Sequence, residues 1–196
     1  MRGRKVRAPA VTPLVLASRS PQRRAILAQL GVPFEVVEPG AEELGTGEPR
    51  AVVIENALRK ARSLGQRARS RRVLGVDTAV VVDGRIHGKP REEADARRVL
   101  ERLAGREHVV WSGIALLDPS GGERTAAEAT RVRFRALDTA DLDWYLASGE
   151  WRGRAGGYAI QGRGATLVER IEGDYSNVVG LPVAALARLA PELFRA

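Results

Sequence analysis

The sequence predicts a mixed α/β fold with a cleft, and three observations carry that expectation. The chain opens on a strand, a polar turn and a helix. A ten-residue run, Val73 to Val82, is apolar apart from Asp77 and Thr78. Beyond it, hairpin strands alternate with helices whose apolar residues recur at helical spacing.

Taken in order, Leu14-Val15-Leu16-Ala17 is a short apolar strand. Ser20 can cap a helix with Pro21 at its first position, and Gly31 closes it. Phe34 to Val37 reads as a second strand, followed by an acidic loop from Glu38 to Glu48 and a long helix from Pro49 to about Ser70. Lys60 lies in the middle of that helix. The Val73–Val82 strand turns at Asp83-Gly84, and its return reaches Gly88-Lys89-Pro90. Ala96, Val99, Leu100 and Leu103 define one face of a helix that starts near Glu92 and stops before Gly105. Val109–Leu117 and Arg124–Phe134 form a hairpin across residues 118–122, and Thr139 starts a helix that ends at Gly149. Trp151 to Gly164 is glycine-rich around Tyr158-Ala159-Ile160-Gln161, which reads as a buried strand between loops. Pro182 opens a terminal helix.

Composition narrows the chemistry. With 196 residues, 44% of them hydrophobic, the chain can bury a core without staples. It contains no cysteine, which excludes disulfides, thiolate catalysis and cysteine-ligated metal centres and makes a reducing cytoplasm the expected location. No apolar run approaches the span of a membrane helix, and the arginine-rich start lacks the apolar stretch of a signal peptide. Residues 1–13 read as a disordered basic tail and 14–196 as a single domain. The net charge of +8 fits an anionic partner. However, 29 arginines stand against three lysines, which points to a compositional bias rather than a basic face. Against that background Lys60 and Lys89 stand out as compact point charges.

Two segments carry the sharper chemistry. The turn Ser18-Arg19-Ser20-Pro21-Gln22-Arg23-Arg24 combines hydroxyls, a helix N-terminus and first-turn arginines, all devices that bind phosphate. A capped surface helix with solvated arginines would read the same way, and the turn by itself does not decide. Asp77 is a carboxylate inside an apolar strand, where an unpaired charge would cost several kcal/mol. It therefore requires a metal, a lysine or a polarised water, unless it breaks the strand at an edge. His87 and His108 lack metal-ligand spacing and read as structural. No Walker loop, dinucleotide fingerprint or nucleophile elbow is present.

Read together, Leu16 to Arg24, Gly75-Val76-Asp77-Thr78, Gly88-Lys89-Pro90, Tyr158-Ala159-Ile160-Gln161-Gly162 and Asn177-Val178-Val179-Gly180-Leu181-Pro182 resemble the Maf family, in its order, from about Leu14 to Leu193. The resemblance implies an elongated α/β fold with two lobes around a central cleft, a shape related to the inosine triphosphate pyrophosphatases, and a homodimer. It implies hydrolysis of a nucleoside triphosphate to the monophosphate and pyrophosphate with a divalent metal, Mg²⁺ or Mn²⁺. By position, Asp77 would accept the proton of the attacking water. Ser18, Arg23, Lys60 and Lys89 would hold the triphosphate, and Glu43 would join Asp77 at the metal.

Thr78 and Gln161 match the branch acting on dTTP and UTP, with CTP or modified pyrimidine nucleotides as further candidates. A glutamine amide can accept from the pyrimidine N3–H and donate to O4. Gln22 departs from that branch, which places an arginine there, so preference can shift from the family pattern. The alternatives are a 7-methyl-GTP pyrophosphatase of the same family, a nucleic-acid-binding protein motivated by charge, or a cell-division interaction protein. An aromatic content of 5% and the lack of interleaved basic and aromatic residues count against nucleic acid. The resemblance implies neither a stable nucleic-acid partner nor a membrane.

Overall fold

The computed structural model describes residues 13–68 and 70–195, so all but the last residue of the predicted basic tail lies outside the described residues. Strand β1 (Leu14–Ala17) is fully buried and pairs in parallel with β2 (Phe34–Val36) on one side and β3 (Val73–Val82) on the other. Helix α1 (Pro21–Gln29) joins β1 to β2, and α2 (Pro49–Arg62) joins β2 to β3. From β3 onward pairing is antiparallel. The short β4 (Arg85–His87) folds back on the end of β3, while β5 (Glu107–Leu117), β6 (Glu123–Phe134) and β7 (Val168–Glu172) extend the sheet in the order β2-β1-β3-β5-β6-β7. Helices α3 (Glu93–Leu103) and α4 (Thr139–Ala147) pack at one end, and α5 (Tyr175–Val179) and α6 (Val183–Leu189) follow β7.

The sheet leaves a gap that matters for function. Strand β1 accompanies β3 only as far as Gly75, and β4 does not begin to pair until Val80. Between them one edge of β3, including Asp77 and Thr78, has no strand partner among the described residues. The other edge is paired throughout with β5, Asp77 facing Gly113 and Thr78 facing Ser112. Asp77 thus lies inside a continuous strand rather than breaking one.

Helix α2 lies close to the sheet because two glycines make room for it. A Cβ on Gly75 would sit 2.0 Å from the carbonyl oxygen of Ala57, and one on Gly113 would sit 2.2 Å from that of Val53. Glycine inside a strand commonly marks such a close backbone approach. Gly75 and Asp77, two residues apart, share one face of β3, so the helix that rests on the glycines also covers the carboxylate.

Three local expectations are corrected. The helix from Pro49 stops at Arg62 rather than near Ser70: the Ser63 hydroxyl donates to the Lys60 carbonyl, and Gly65 turns the chain with a φ of 45°. Glu48, not anticipated as a cap, accepts from the backbone N–H groups of Arg50 and Ala51. The side chain of Ser20 does not cap α1 and instead donates to Gln22 Oε1. Tyr158 to Gln161 is buried over its first three residues but forms turns rather than a strand, since Gly156 and Gly157 wind the backbone at positive φ and Gly162 closes onto Ala159. Strand β7 and helix α5 went unassigned from sequence because Val168-Glu169-Arg170-Ile171-Glu172 carries too little apolar character to announce a strand. None of the helices among the described residues is long and apolar enough to cross a membrane.

The arginine surplus is dispersed. Arg62, Arg97, Arg106, Arg131 and Arg133 pair with Glu123, Asp143, Asp83, Glu172 and Glu169 respectively, which interleaves the two signs over the surface.

Candidate active site

A cavity of about 570 Å³ opens at the gap in the sheet, where β1 ends and α1 begins. This is where open α/β sheets accept ligands, at the carboxyl end of a parallel strand beside a helix N-terminus. Ser18, Gln22, Arg23, Glu43, Lys60, Asp77, Thr78, Lys89 and Gln161 all line it. Every site residue expected from sequence is therefore brought to one place.

At its base, α2 presents Asn56 and Lys60, one helical turn apart, to Asp77. Lys60 Nζ donates to Asp77 Oδ1 at 2.5 Å, to Glu43 Oε1 at 2.8 Å and more weakly to the Val76 carbonyl at 3.4 Å. The other oxygen of Asp77 accepts from Asn56 Nδ2 at 2.9 Å. Lysine and amide thus supply the compensation that a buried carboxylate requires. Lys60 was expected to hold phosphate, yet its three donors are engaged here by protein acceptors.

The second element is Arg23, 8% exposed. Its Nε donates to the Gly180 carbonyl at 2.9 Å, Nη1 to Ser18 Oγ at 3.1 Å and Nη2 to Thr78 Oγ1 at 3.0 Å. These partners are all neutral. Burial lowers the pKa of the guanidinium, and only the more distant charges of Asp77 and Glu43 oppose this. A buried cation held by neutral acceptors fits an anionic ligand. Ser18 Oγ accepts from both Arg23 and the Ser20 N–H, so its own hydrogen remains available to a ligand.

Glu43 reaches in from the acidic loop. Partial burial pushes its carboxyl upward, but the ammonium groups of Lys60 and Lys89 and the charge of Arg23 outweigh this and hold it below the usual range. Lys89, half exposed, lies 3.8 Å from Glu43. Its ammonium is lowered by partial burial, with Lys60 and Arg23 adding to the effect. Gln161, Arg152, Arg154 and Tyr158 also line the cavity, Gln161 being exposed. The Tyr158 hydroxyl shares a bond with His108 Nε2 at 2.9 Å. Neither histidine lines the cavity, in line with a structural reading.

Sequence reasoning missed Asn56, Ser112, Arg152 and Arg154. Ser112 shares a 2.9 Å bond with Thr78, and nothing in the sequence announced it, because β3 and β5 meet only after β4 and α3 intervene. The model of the family described as Maf-like protein matches residues 13–193. The chain belongs to the Maf-like family. Among its Maf-like relatives, a protein named dTTP/UTP pyrophosphatase from Gloeobacter violaceus is 48% identical over 184 residues, 93% of this chain and 96% of the relative. One of the same name from Dictyoglomus thermophilum is 44% identical over 92% of this chain and 95% of its own. Among solved structures, a HAM1 protein from Coxiella burnetii aligns over 94% of this chain and 99% of its own with a TM-score of 0.51. At 19% identity that match speaks to the fold alone.

Proposed function

We propose that this Maf-like chain is a nucleoside triphosphate pyrophosphatase that hydrolyses dTTP and UTP to the monophosphate and pyrophosphate. The observation that carries this reading is a cavity lined together by a buried carboxylate, Asp77, by Arg23, Lys60 and Lys89, and by an amide, Gln161. The names of the relatives agree with it.

In this reading the triphosphate lies along the turn that follows β1. The Ser18 hydroxyl, Arg23 and Lys89 hold its oxygens, and Lys60 turns the donor now given to Glu43 toward them. Asp77 accepts the proton of a water attacking the triphosphate, and the bond between the α- and β-phosphates breaks. Cations around the departing pyrophosphate neutralise its charge. Gln161 reads the pyrimidine edge, while Gln22 and Thr78 border the path between base and phosphate.

The donor set also fits a divalent metal. Glu43 and Asp77 converge on one cationic position, held in this structure by the Lys60 ammonium. Two carboxylates completed by phosphate oxygens are what Mg²⁺ or Mn²⁺ takes. Such an ion would withdraw charge from the phosphates. The protein is proposed to act in the cytoplasm as a homodimer, which light scattering of the purified protein checks.

The deciding experiment is product analysis over a nucleotide panel that includes 7-methyl-GTP, with Mg²⁺ or Mn²⁺ supplied. Pyrophosphate and monophosphate from dTTP and UTP are expected; orthophosphate and a diphosphate would overturn the mechanism. Asp77→Asn should lower turnover by about 10²- to 10⁴-fold, the usual contribution of a general base. Undiminished turnover in a folded variant would remove Asp77 from that role.

A further inference from the structure

Asn56 is 2% exposed and makes three hydrogen bonds, which use both of its amide hydrogens. Its Oδ1 accepts from the Leu44 N–H at 2.7 Å, while Nδ2 donates to the Leu44 carbonyl at 3.0 Å and to Asp77 Oδ2 at 2.9 Å. The first two bonds copy the pairing of two peptide groups and so fix which residue of the acidic loop sits against α2. Leu44 follows Glu43 directly. A one-residue slip of the loop would carry the Glu43 carboxylate away from Lys60, on which it now lies at 2.8 Å. A further side-chain tie, just beyond the end of α2, is made where Ser63 Oγ accepts from the Gly40 N–H. The third bond acts on Asp77: with Lys60 on Oδ1 and Asn56 on Oδ2, the plane of the carboxylate is set by two donors from one helix.

We propose that Asn56 is a positioning residue that makes the seating of the acidic loop and the orientation of Asp77 a single event. The inference rests on the assignment of Asp77 as the base. No other side chain of similar size would serve. Leucine fills the space without the bonds, and aspartate keeps the acceptor for Leu44 N–H but loses both donors and places a second carboxylate beside Asp77.

The test is a double-mutant cycle of Asn56→Leu with Glu43→Gln, with dTTP as substrate and Mg²⁺ supplied, alongside hydrogen exchange of the full chain. Misplacing the base and its loop should lower kcat by about 10- to 100-fold while KM moves by less than about 3-fold. In the Glu43→Gln background the further loss should be smaller than in the wild type, because the part that acts through the seating of Glu43 is already gone. The Leu44 amide should lose protection in Asn56→Leu while amides of β3 and β5 keep theirs. Should that variant fail to fold, Asn56→Ser, small and polar but too short to span both partners, gives the same pattern. Additive losses in the cycle, an unchanged kcat, or a Leu44 amide that stays protected would each overturn the proposal. A wild-type protein that releases no pyrophosphate would refute the functional reading instead, and hydrogen exchange would still decide whether Asn56 seats the loop.

Discussion

Arg23 shows what a single residue contributes, because it joins three parts of the chain that are distant in sequence. Three of its donors go to Ser18 on the opening turn, Thr78 on β3 and the Gly180 carbonyl after α5. A lysine carries the same charge but has no planar fork to span three acceptors. Arg23→Lys is therefore expected to raise KM for dTTP about 10-fold, roughly the worth of a lost charge-assisted bond, with a smaller effect on kcat. Steady-state kinetics check this, and an unchanged KM would show that the arginine merely braces the fold. Asp77 was legible in the sequence because it breaks a local rule, a charge within an apolar strand. The turn around Ser18 and Arg23 reads equally as a capped surface helix, and those two residues stand out only through the family resemblance. Asn56 breaks no rule that a single sequence exposes. An asparagine within a helix is only a mediocre helix former, and its partners lie 12 and 21 residues away.

At the level of elements, the decisive contact is between α2 and the glycines of β3 and β5. Strands β1, β3, β5 and β6, and the helix starts at Pro21 and Thr139, follow from local pattern and agree with the structure. The depth at which α2 sits could not be read, because it depends on Gly75 and Gly113 meeting the same helix from neighbouring strands. The segment from Tyr158 to Gln161 was misjudged for a related reason: its apolar residues are buried by turns, and burial alone does not distinguish turn from strand. Gly113→Ala tests the helix seat directly. The added methyl would lie 2.3 Å from the Val53 carbonyl carbon and 2.6 Å from the Ile54 nitrogen, so backbone rather than a flexible side chain must move. Overpacking of this kind costs about 1–3 kcal/mol, visible as a fall in Tm of several degrees in thermal melts. As α2 lifts, Lys60 and Asn56 leave Asp77, and kcat should fall about 10-fold or more. Full activity with a lowered Tm would separate the seat of the helix from the chemistry.

Across the whole molecule, strands β3 and β5 each serve two cores, and the cavity opens where one gives way to the other. On one face of β3, Leu74 and Val76 pack with Leu14, Leu16, Ile114 and Leu116, whereas Val80 and Val82 pack with Leu100, Val110 and Phe134. Thr78 falls between them by strand alternation, opposite Ser112. A polar seam across a continuous sheet thus separates the two clusters. The second core carries a titratable group that links its stability to acid. His108 is 2% exposed, bonded to Tyr158 and edge-on to Phe134, and burial holds its pKa down from 6.5 to about 4. Because the folded value is depressed, the unfolded chain takes up the proton first as pH falls. The stabilisation is complete above about pH 6.5 and is lost progressively toward pH 4, by roughly 2–3 kcal/mol near pH 4.5. His108→Gln removes the titration while keeping an amide that can bond the Tyr158 hydroxyl. Urea unfolding at pH 7 and pH 4.5 should show a drop in stability for the wild type that is larger than the variant's by about that amount. Equal drops in both proteins would place the acid sensitivity elsewhere, among carboxylates such as Glu43 whose pKa is also held low by cations.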